Sequence, residues 1–230
     1  MRIKYLVLAA VLAFFVGCGD SGVVAGEKMA GEKLAAIQAD NKEKENYLVI
    51  DVRSKEEYDQ GHLKHAINIP FEVFYDRIDE IKGYENKNIV FYCTSGKKSN
   101  KLAEELKAKG FTKTAGADSL KEYNYELFKF GSINAAEYNK MDKSNLLIID
   151  VREAKDYEAG HIEGAISIPD GQPLENYKDI LEANKGKTVA IYCYTGNRSA
   201  KLAEKLLDKG FAGVYNMLDG TKEYDYNLVK

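Results

Sequence analysis

The stretch "YLVIDVRSKEEYDQGHLKHAINIP" (47–70) returns 99 residues later as "LLIIDVREAKDYEAGHIEGAISIP" (146–169), with 12 of 24 positions identical and no gap. A second phrase, "YCTSGKKSNKLAEELKAKGF" (92–111), matches "YCYTGNRSAKLAEKLLDKGF" (192–211) at 12 of 20 positions, now at an offset of 100. Repetition of this kind sets the architecture before any single motif is read. A chain of 230 residues has room for two such copies, since domains commonly run to about 100–200 residues.

Each copy alternates strand and helix signals. "YLVID" and "LLIID" are unbroken apolar runs of strand length, the pattern of a parallel strand covered on both faces. Ser54 with Glu57 three residues on has the form of a capping box, opening a short helix that Gly61 stops. The second copy offers Glu153, Asp156 and Gly160 at those places. A strand follows in "AINIP" or "AISIP", closed by Pro70 or Pro169, then a polar helical stretch and a buried strand, "NIVFY" or "TVAIY". Leu102, Ala103 and Leu106, like Leu202, Ala203, Leu206 and Leu207, lie at helical spacing, ending at Gly110 and Gly210. The expected fold class is α/β, with two domains (31–127 and 132–230), each a parallel sheet with helices on both faces. A short connector near residues 126–132 leaves them packed against each other.

The N-terminus is of a different kind. Arg2 and Lys4 precede an apolar run, Tyr5 to Val16, that ends in Gly17 and Cys18, the outline of a secretory signal over residues 1–17. That run is shorter than the about 20 residues a membrane-spanning helix needs. "FFVGC" resembles the lipobox of bacterial lipoproteins, although Phe15 stands where leucine is usual. The expectation is a lipid on Cys18, an unstructured spacer over 18–30, and tethering at the outer face of a bacterial cell membrane. The formal charge of −3, with both signs interspersed, provides no basic field, so nucleic acid is not an expected partner. No group of His, Cys or acidic residues has metal-ligand spacing, and no metal or organic cofactor is expected.

The two cysteines outside the leader, Cys93 and Cys193, each end a buried strand and precede a tight glycine-containing loop and a helix. Unpaired N–H groups at a helix N-terminus make an anion site, and a thiol placed there loses its proton more readily. In the second copy the cradle runs through Tyr194, Thr195, Gly196, Asn197, Arg198 and Ser199. Gly196 lets the backbone turn, Thr195 and Ser199 add hydroxyls, and Arg198 offers a planar fork for an oxyanion. In the first copy the corresponding residues are Thr94, Ser95, Gly96, Lys97, Lys98 and Ser99, where Lys98 is a point charge without that fork. A disulfide between cysteines at equivalent positions of two separate domains is not expected, because their Cα atoms would have to lie within about 7 Å. Both thiols can therefore act as nucleophiles.

"DVR", "GHI" followed by "A-I-x-I-P", and "YCYTGNRS" before an amphipathic helix together resemble the rhodanese superfamily, in both copies and over nearly everything from residue 28 onward. The resemblance implies five-stranded parallel sheets with helices on both faces. It also implies a sulfurtransferase in which cysteine accepts sulfane sulfur from a small donor anion, holds it as a persulfide, and passes it to a thiol or protein acceptor. Four residues separate Cys193 from Arg198, whereas the related phosphatases and arsenate reductases resemble a wider C-x5-R loop; the shorter cradle suits sulfur. Phosphatase or arsenate chemistry and a catalytically silent binding module remain as alternatives. The pairs Asp51 with Arg53 and Asp150 with Arg152 read as structural, and His62 and His161 as scaffold histidines. His65 has no counterpart, Gly164 standing there, and reads as an exposed surface residue. Tyr123 and Tyr224 occupy places where many superfamily members carry tryptophan, and read as packing residues.

Overall fold

The computed structural model describes residues 28–230; the expected signal segment, Cys18 and most of the spacer lie outside the described residues. Met29, expected in the spacer, is buried and bridges in parallel to Ala117. Lys28 beside it reaches Asp118 and Glu122.

The N-terminal half contains α1 (Gly31–Ala39), β1 (Tyr47–Asp51), α2 (Lys55–Gln60), β2 (Ala66–Asn68), β3 (Asn88–Tyr92), α3 (Lys97–Lys107) and β4 (Thr114–Gly116). The C-terminal half repeats the order with β5 (Gly131–Ile133), α4 (Ala135–Lys140), β6 (Leu146–Asp150), α5 (Ala154–Ala159), β7 (Ile166–Ser167), α6 (Lys178–Ala183), β8 (Thr188–Tyr192), α7 (Asn197–Asp208) and β9 (Val214–Met217). The polar stretch after β2 forms 3-10 turns (Phe71–Val73 and Tyr75–Ile81) where the second copy forms α6. The predicted capping box of α2 is present: Ser54 accepts from the Glu57 amide while Glu57 accepts from the Ser54 amide. Glu153 occupies the same place before α5 without a side-chain cap, since its longer chain does not return to the first-turn amides.

The expected pair of sheets runs together. Among the described residues all strands are parallel in one nine-stranded sheet of order β4-β3-β1-β2-β5-β9-β8-β6-β7, so one half is the other translated sideways. The seam between halves is a single register pair, Ile67 opposite Ser132. Residues 126–132 therefore do more than connect. Phe128 exchanges backbone hydrogen bonds with His62, and Gly131 to Ile133 form β5, which also pairs with β9. Tyr58, wholly buried, donates to the Ala66 carbonyl and accepts from the Ser132 amide, holding both strands at the seam. Gly131 is required by close approach: a Cβ there would stand 2.4 Å from the Tyr215 ring.

The alternation of β1 and β6 distributes the core to two faces. Leu48, Ile50, Ile89 and Phe91 pack under Leu102 and Leu106 of α3, as Leu147, Ile149, Val189 and Ile191 pack under Leu202 and Leu206 of α7. On the other face, Tyr47 and Val49 meet Leu34 and Ile37 of α1, and Leu146 and Ile148 meet Tyr138 of α4. Each such fully buried aliphatic side chain contributes about 1.5–3 kcal/mol relative to exposure. With both faces covered, the polar groups with access to solvent gather at the strand ends, and the two cysteine loops follow β3 and β8 at the carboxyl edge of the sheet.

Candidate active site

Gly96 and Gly196 take φ of 79° and 76° immediately before α3 and α7, a left-handed turn that glycine accepts without strain. The turn folds the following amides back toward the cysteine that ends each strand, and the helices start directly after it, at Lys97 and Asn197. Cys93 and Cys193 are buried and unpaired, with 3% and 2% of their surface exposed. Five strand steps separate β3 from β8, about 24 Å at the usual about 4.8 Å spacing, which rules out a bond between these two thiols.

The electrostatics of the two thiols have the same sign. Burial pushes Cys193 up, but the Ser199 hydroxyl and the backbone amides of Ser199, Thr195 and Arg198 outweigh it, leaving the thiol below its ordinary value. At Cys93 burial is likewise outweighed, by the Ser99 amide and hydroxyl and by the amides of Ser95 and Lys98. The serine hydroxyls lie 3.6 Å from Cys93 Sγ and 3.5 Å from Cys193 Sγ. Both loops thus turn backbone amides and a serine hydroxyl toward the sulfur, an arrangement that favours its ionised form.

The remaining residues of the predicted loops take varied places. Thr94 donates to Glu57, Lys97 is an exposed first residue of α3, and Lys98 pairs with Glu72 at 2.5 Å. Tyr194 lies at the rim with its ring near the cations of Arg152, Arg198 and Lys222. Asn197 donates to the Asn41 carbonyl and to Thr195 Oγ1. The Arg198 guanidinium, expected over the cradle, pairs with Glu153 at 3.4 Å and stands 5.3 Å from the Tyr194 ring centre, while its amide faces the sulfur.

The aspartate–arginine pairs are structural, as expected. Arg53 clamps Asp51 and the Gly61 carbonyl, and Arg152 clamps Asp150 and the Gly160 carbonyl, fixing α2 and α5 against the sheet. His62 stacks on Tyr58 and points both ring nitrogens at carbonyls, of Tyr58 and Phe130; His161 stacks on Tyr157. Tyr123 packs against Tyr125 and Tyr224 against Tyr226, with Tyr224 41% exposed and its hydroxyl accepting from Asn139.

Sequence reasoning missed the residues that reach the second loop from the other half. Lys44, in the 3-10 turn before β1, is buried and donates to the Thr195 carbonyl at 2.6 Å. Burial lowers its ammonium below the usual lysine range, against the pull of Glu223, Glu45 and Cys193. His65, expected on the surface, is 5% exposed and lies 3.4 Å from Asn216, which in turn touches Ser199. It is buried because the second half covers the turn in which it sits, a cover that a reading of the isolated copy cannot supply. Gly220 packs against the back of the loop so closely that a Cβ would stand 2.0 Å from the Tyr194 carbonyl carbon. Histidine at a position where the other copy has glycine, and asparagine inside the apolar strand "VYNM", were the available signals.

A family model described as "Rhodanese-like domain" matches the chain twice, over residues 34–117 and 134–226. Among curated proteins, the chain is 33% identical over 113 residues to the tRNA uridine(34) hydroxylase of Photorhabdus laumondii and 32% identical to that of Yersinia pestis, in each case over 47% of this chain. The chain spans about a third of the length of these relatives, 32% of each. Among solved structures it is similar to a thiosulfate sulfurtransferase from Pseudomonas aeruginosa, at 20% identity and TM-score 0.38 over 83% of this chain and 40% of that one. It is also similar to an anaerobic ergothioneine biosynthesis enzyme from Chlorobium limicola, at 16% identity and TM-score 0.38 over 84% and 59%.

Proposed function

The chain belongs to the rhodanese-like domain family, and from that premise we propose that it is a sulfurtransferase that carries sulfane sulfur as a cysteine persulfide. The observation that carries the reading is the pair of buried thiols, each followed by a left-handed glycine turn and lying 3.6 Å or 3.5 Å from a serine hydroxyl, a setting that lowers the thiol pKa. In the proposed cycle the Cys193 thiolate attacks the outer sulfur of thiosulfate, or of a polysulfide or small persulfide. A new S–S bond forms, the donor's S–S bond breaks, and its electron pair leaves with sulfite or thiolate. The terminal sulfur of the resulting persulfide anion sits where amides of residues 195 to 199 converge. A nucleophilic acceptor, cyanide in the assay and a thiol or partner protein in the cell, takes that sulfur and returns the thiolate. Sulfur and charge balance without a metal, an oxidant or an organic cofactor. Nucleic acid is not among the proposed partners, in keeping with the mixed surface charge.

Cys193 is proposed as the main carrier and Cys93 as the slower one. Peptide-resolved mass analysis after thiosulfate should show one added sulfur on Cys193 that cyanide removes, and Cys193→Ser should abolish most sulfur transfer. Full activity in Cys193→Ser would reverse the assignment. Hydrolysis of an aryl phosphate with vanadate inhibition, in place of sulfur uptake, would replace the reaction class.

A further inference from the structure

Ser199 has one proton and two neighbours that want it. Its Oγ lies 2.6 Å from Asn216 Oδ1 and 3.5 Å from Cys193 Sγ, and a hydroxyl donates once. Asn216, wholly buried, presents its other terminal atom, Nδ2, to His65 Nδ1 at 3.4 Å. His65 comes from the N-terminal half, so the line Cys193–Ser199–Asn216–His65 crosses the seam of the sheet.

We propose that His65 is a positioning residue for Cys193, acting through Asn216 to set which way the Ser199 proton points. With Nδ1 as acceptor, Asn216 Nδ2 donates to it, Oδ1 takes the serine proton, and Ser199 offers the sulfur only a lone pair, which suits a thiol. With Nδ1 protonated, the amide is turned over: Oδ1 accepts from the imidazole, Nδ2 donates to Ser199, and the serine proton goes to a thiolate or persulfide. The two arrangements use the same heavy-atom positions, because amide oxygen and nitrogen exchange places and the imidazole exchanges tautomers. Thiolate support at Cys193 therefore corresponds to the Nδ1–H form of His65.

Three further observations favour a dedicated role. His65 holds φ of 60°, where the second copy has Gly164 at 78°; a side chain in that region costs about 1 kcal/mol and persists where the surroundings enforce it. The first copy lacks the relay: Gly116 stands at the place of Asn216, and the Ser99 hydroxyl donates to the Gly96 carbonyl at 3.0 Å. Burial first, then the charges of Lys44 and Lys64, keep the imidazole far below its ordinary pKa, so it holds one proton and must choose a nitrogen. Glu45, Lys87, Asp219 and Glu223 line the small cavity beside it.

The inference rests on the thiolate reading of Cys193 but not on any sulfur donor, and its test uses none. Iodoacetamide alkylation of the full chain is followed against pH, with Cys93 and Cys193 read as separate peptides. His65→Gly removes the imidazole and the backbone strain together. We expect its melting temperature to fall only modestly, relief of the strained φ offsetting part of the lost burial, its Cys193 profile to move to higher pH with an about three- to tenfold slower rate near neutrality, and its Cys93 profile to stay in place. Asn216→Ser, which breaks the line at its middle, should shift Cys193 in the same direction. An unshifted Cys193 profile in His65→Gly, an equal shift at Cys93, or a Cys193 that does not alkylate in the parent chain overturns the proposal. A separate assay, thiosulfate-dependent sulfur uptake by the parent chain, separates this failure from failure of the sulfurtransferase reading.

Discussion

The loops at Cys93 and Cys193 turn on the same left-handed glycine and offer sulfur the same amides, yet they are braced differently. The first is held within its own half, Thr94 by Glu57, Lys98 by Glu72, and Ser99 by the Gly96 carbonyl. The second is held across the seam, Thr195 by Lys44 and Asn197 by Asn41, while Ser199 is held by Asn216 of its own half, which His65 of the other half touches. Joining two copies edge to edge in one sheet placed the second loop against the first half, and that neighbour supplies polar groups no isolated copy has. The two copies share one loop design, and the seam gives those loops different neighbours.

The largest separation between the loops is expected from Gly220→Ala. The added Cβ would lie 2.0 Å from the Tyr194 carbonyl carbon and 2.5 Å from the Cys193 oxygen, backbone atoms that cannot yield without moving the cradle. Such overpacking costs about 1–3 kcal/mol or more. We expect at least about tenfold slower Cys193 alkylation near neutrality with Cys93 unchanged, since Ser119 already stands at the corresponding place. Equal reactivity of Cys193 in this variant would mean that the loop moves freely against its backing.

Lys44→Met comes next. It removes an ammonium from the Thr195 carbonyl and from the field of the thiolate, so the Cys193 pKa should rise and its alkylation profile shift to higher pH, about three- to tenfold slower at neutrality. Lys143, the aligned lysine of the second copy, instead donates to the Tyr138 and Met141 carbonyls at the end of α4, and Lys143→Met should leave both profiles in place. The sign extends to stability. A thiol whose folded pKa is depressed adds stability above its unfolded pKa, and that contribution is lost as pH falls through the folded value. Chemical denaturation between pH 6 and 9 should show this rise in the parent chain and a smaller one in Lys44→Met.

What was legible in the sequence follows the range of the forces involved. The strand runs, the Ser54 cap, the α3 and α7 faces and the cysteine cradles are set by residues within a few positions of each other, and each copy states them independently. The union of the sheets depends on β5, three residues whose pairing with both β2 and β9 is decided by packing around Tyr58 and Gly131. Lys44 sits in the charged run "NKEKEN", indistinguishable there from a solvated face, and acquires meaning only once Thr195 is brought to it. His65 looks like a surface residue in the sequence for the same reason: its unusual backbone is local, but its burial depends on the other half.

The smallest expected effect concerns the difference that the sequence makes most visible, lysine for arginine. Both cations are held at the rim by an exposed carboxylate, Lys98 by Glu72 and Arg198 by Glu153, and exposed pairs of this kind contribute about 0–1 kcal/mol. Lys98→Arg should therefore raise thiosulfate-dependent sulfur uptake at Cys93 by only about twofold, the gain of a forked donor over a point charge. If instead this one change lifts Cys93 to the rate of Cys193, the cation and not the seam sets the difference between the loops. In that case Lys44→Met would also be expected to leave Cys193 nearly untouched, so the two variants measured together assign the asymmetry to one side chain or to the neighbouring half.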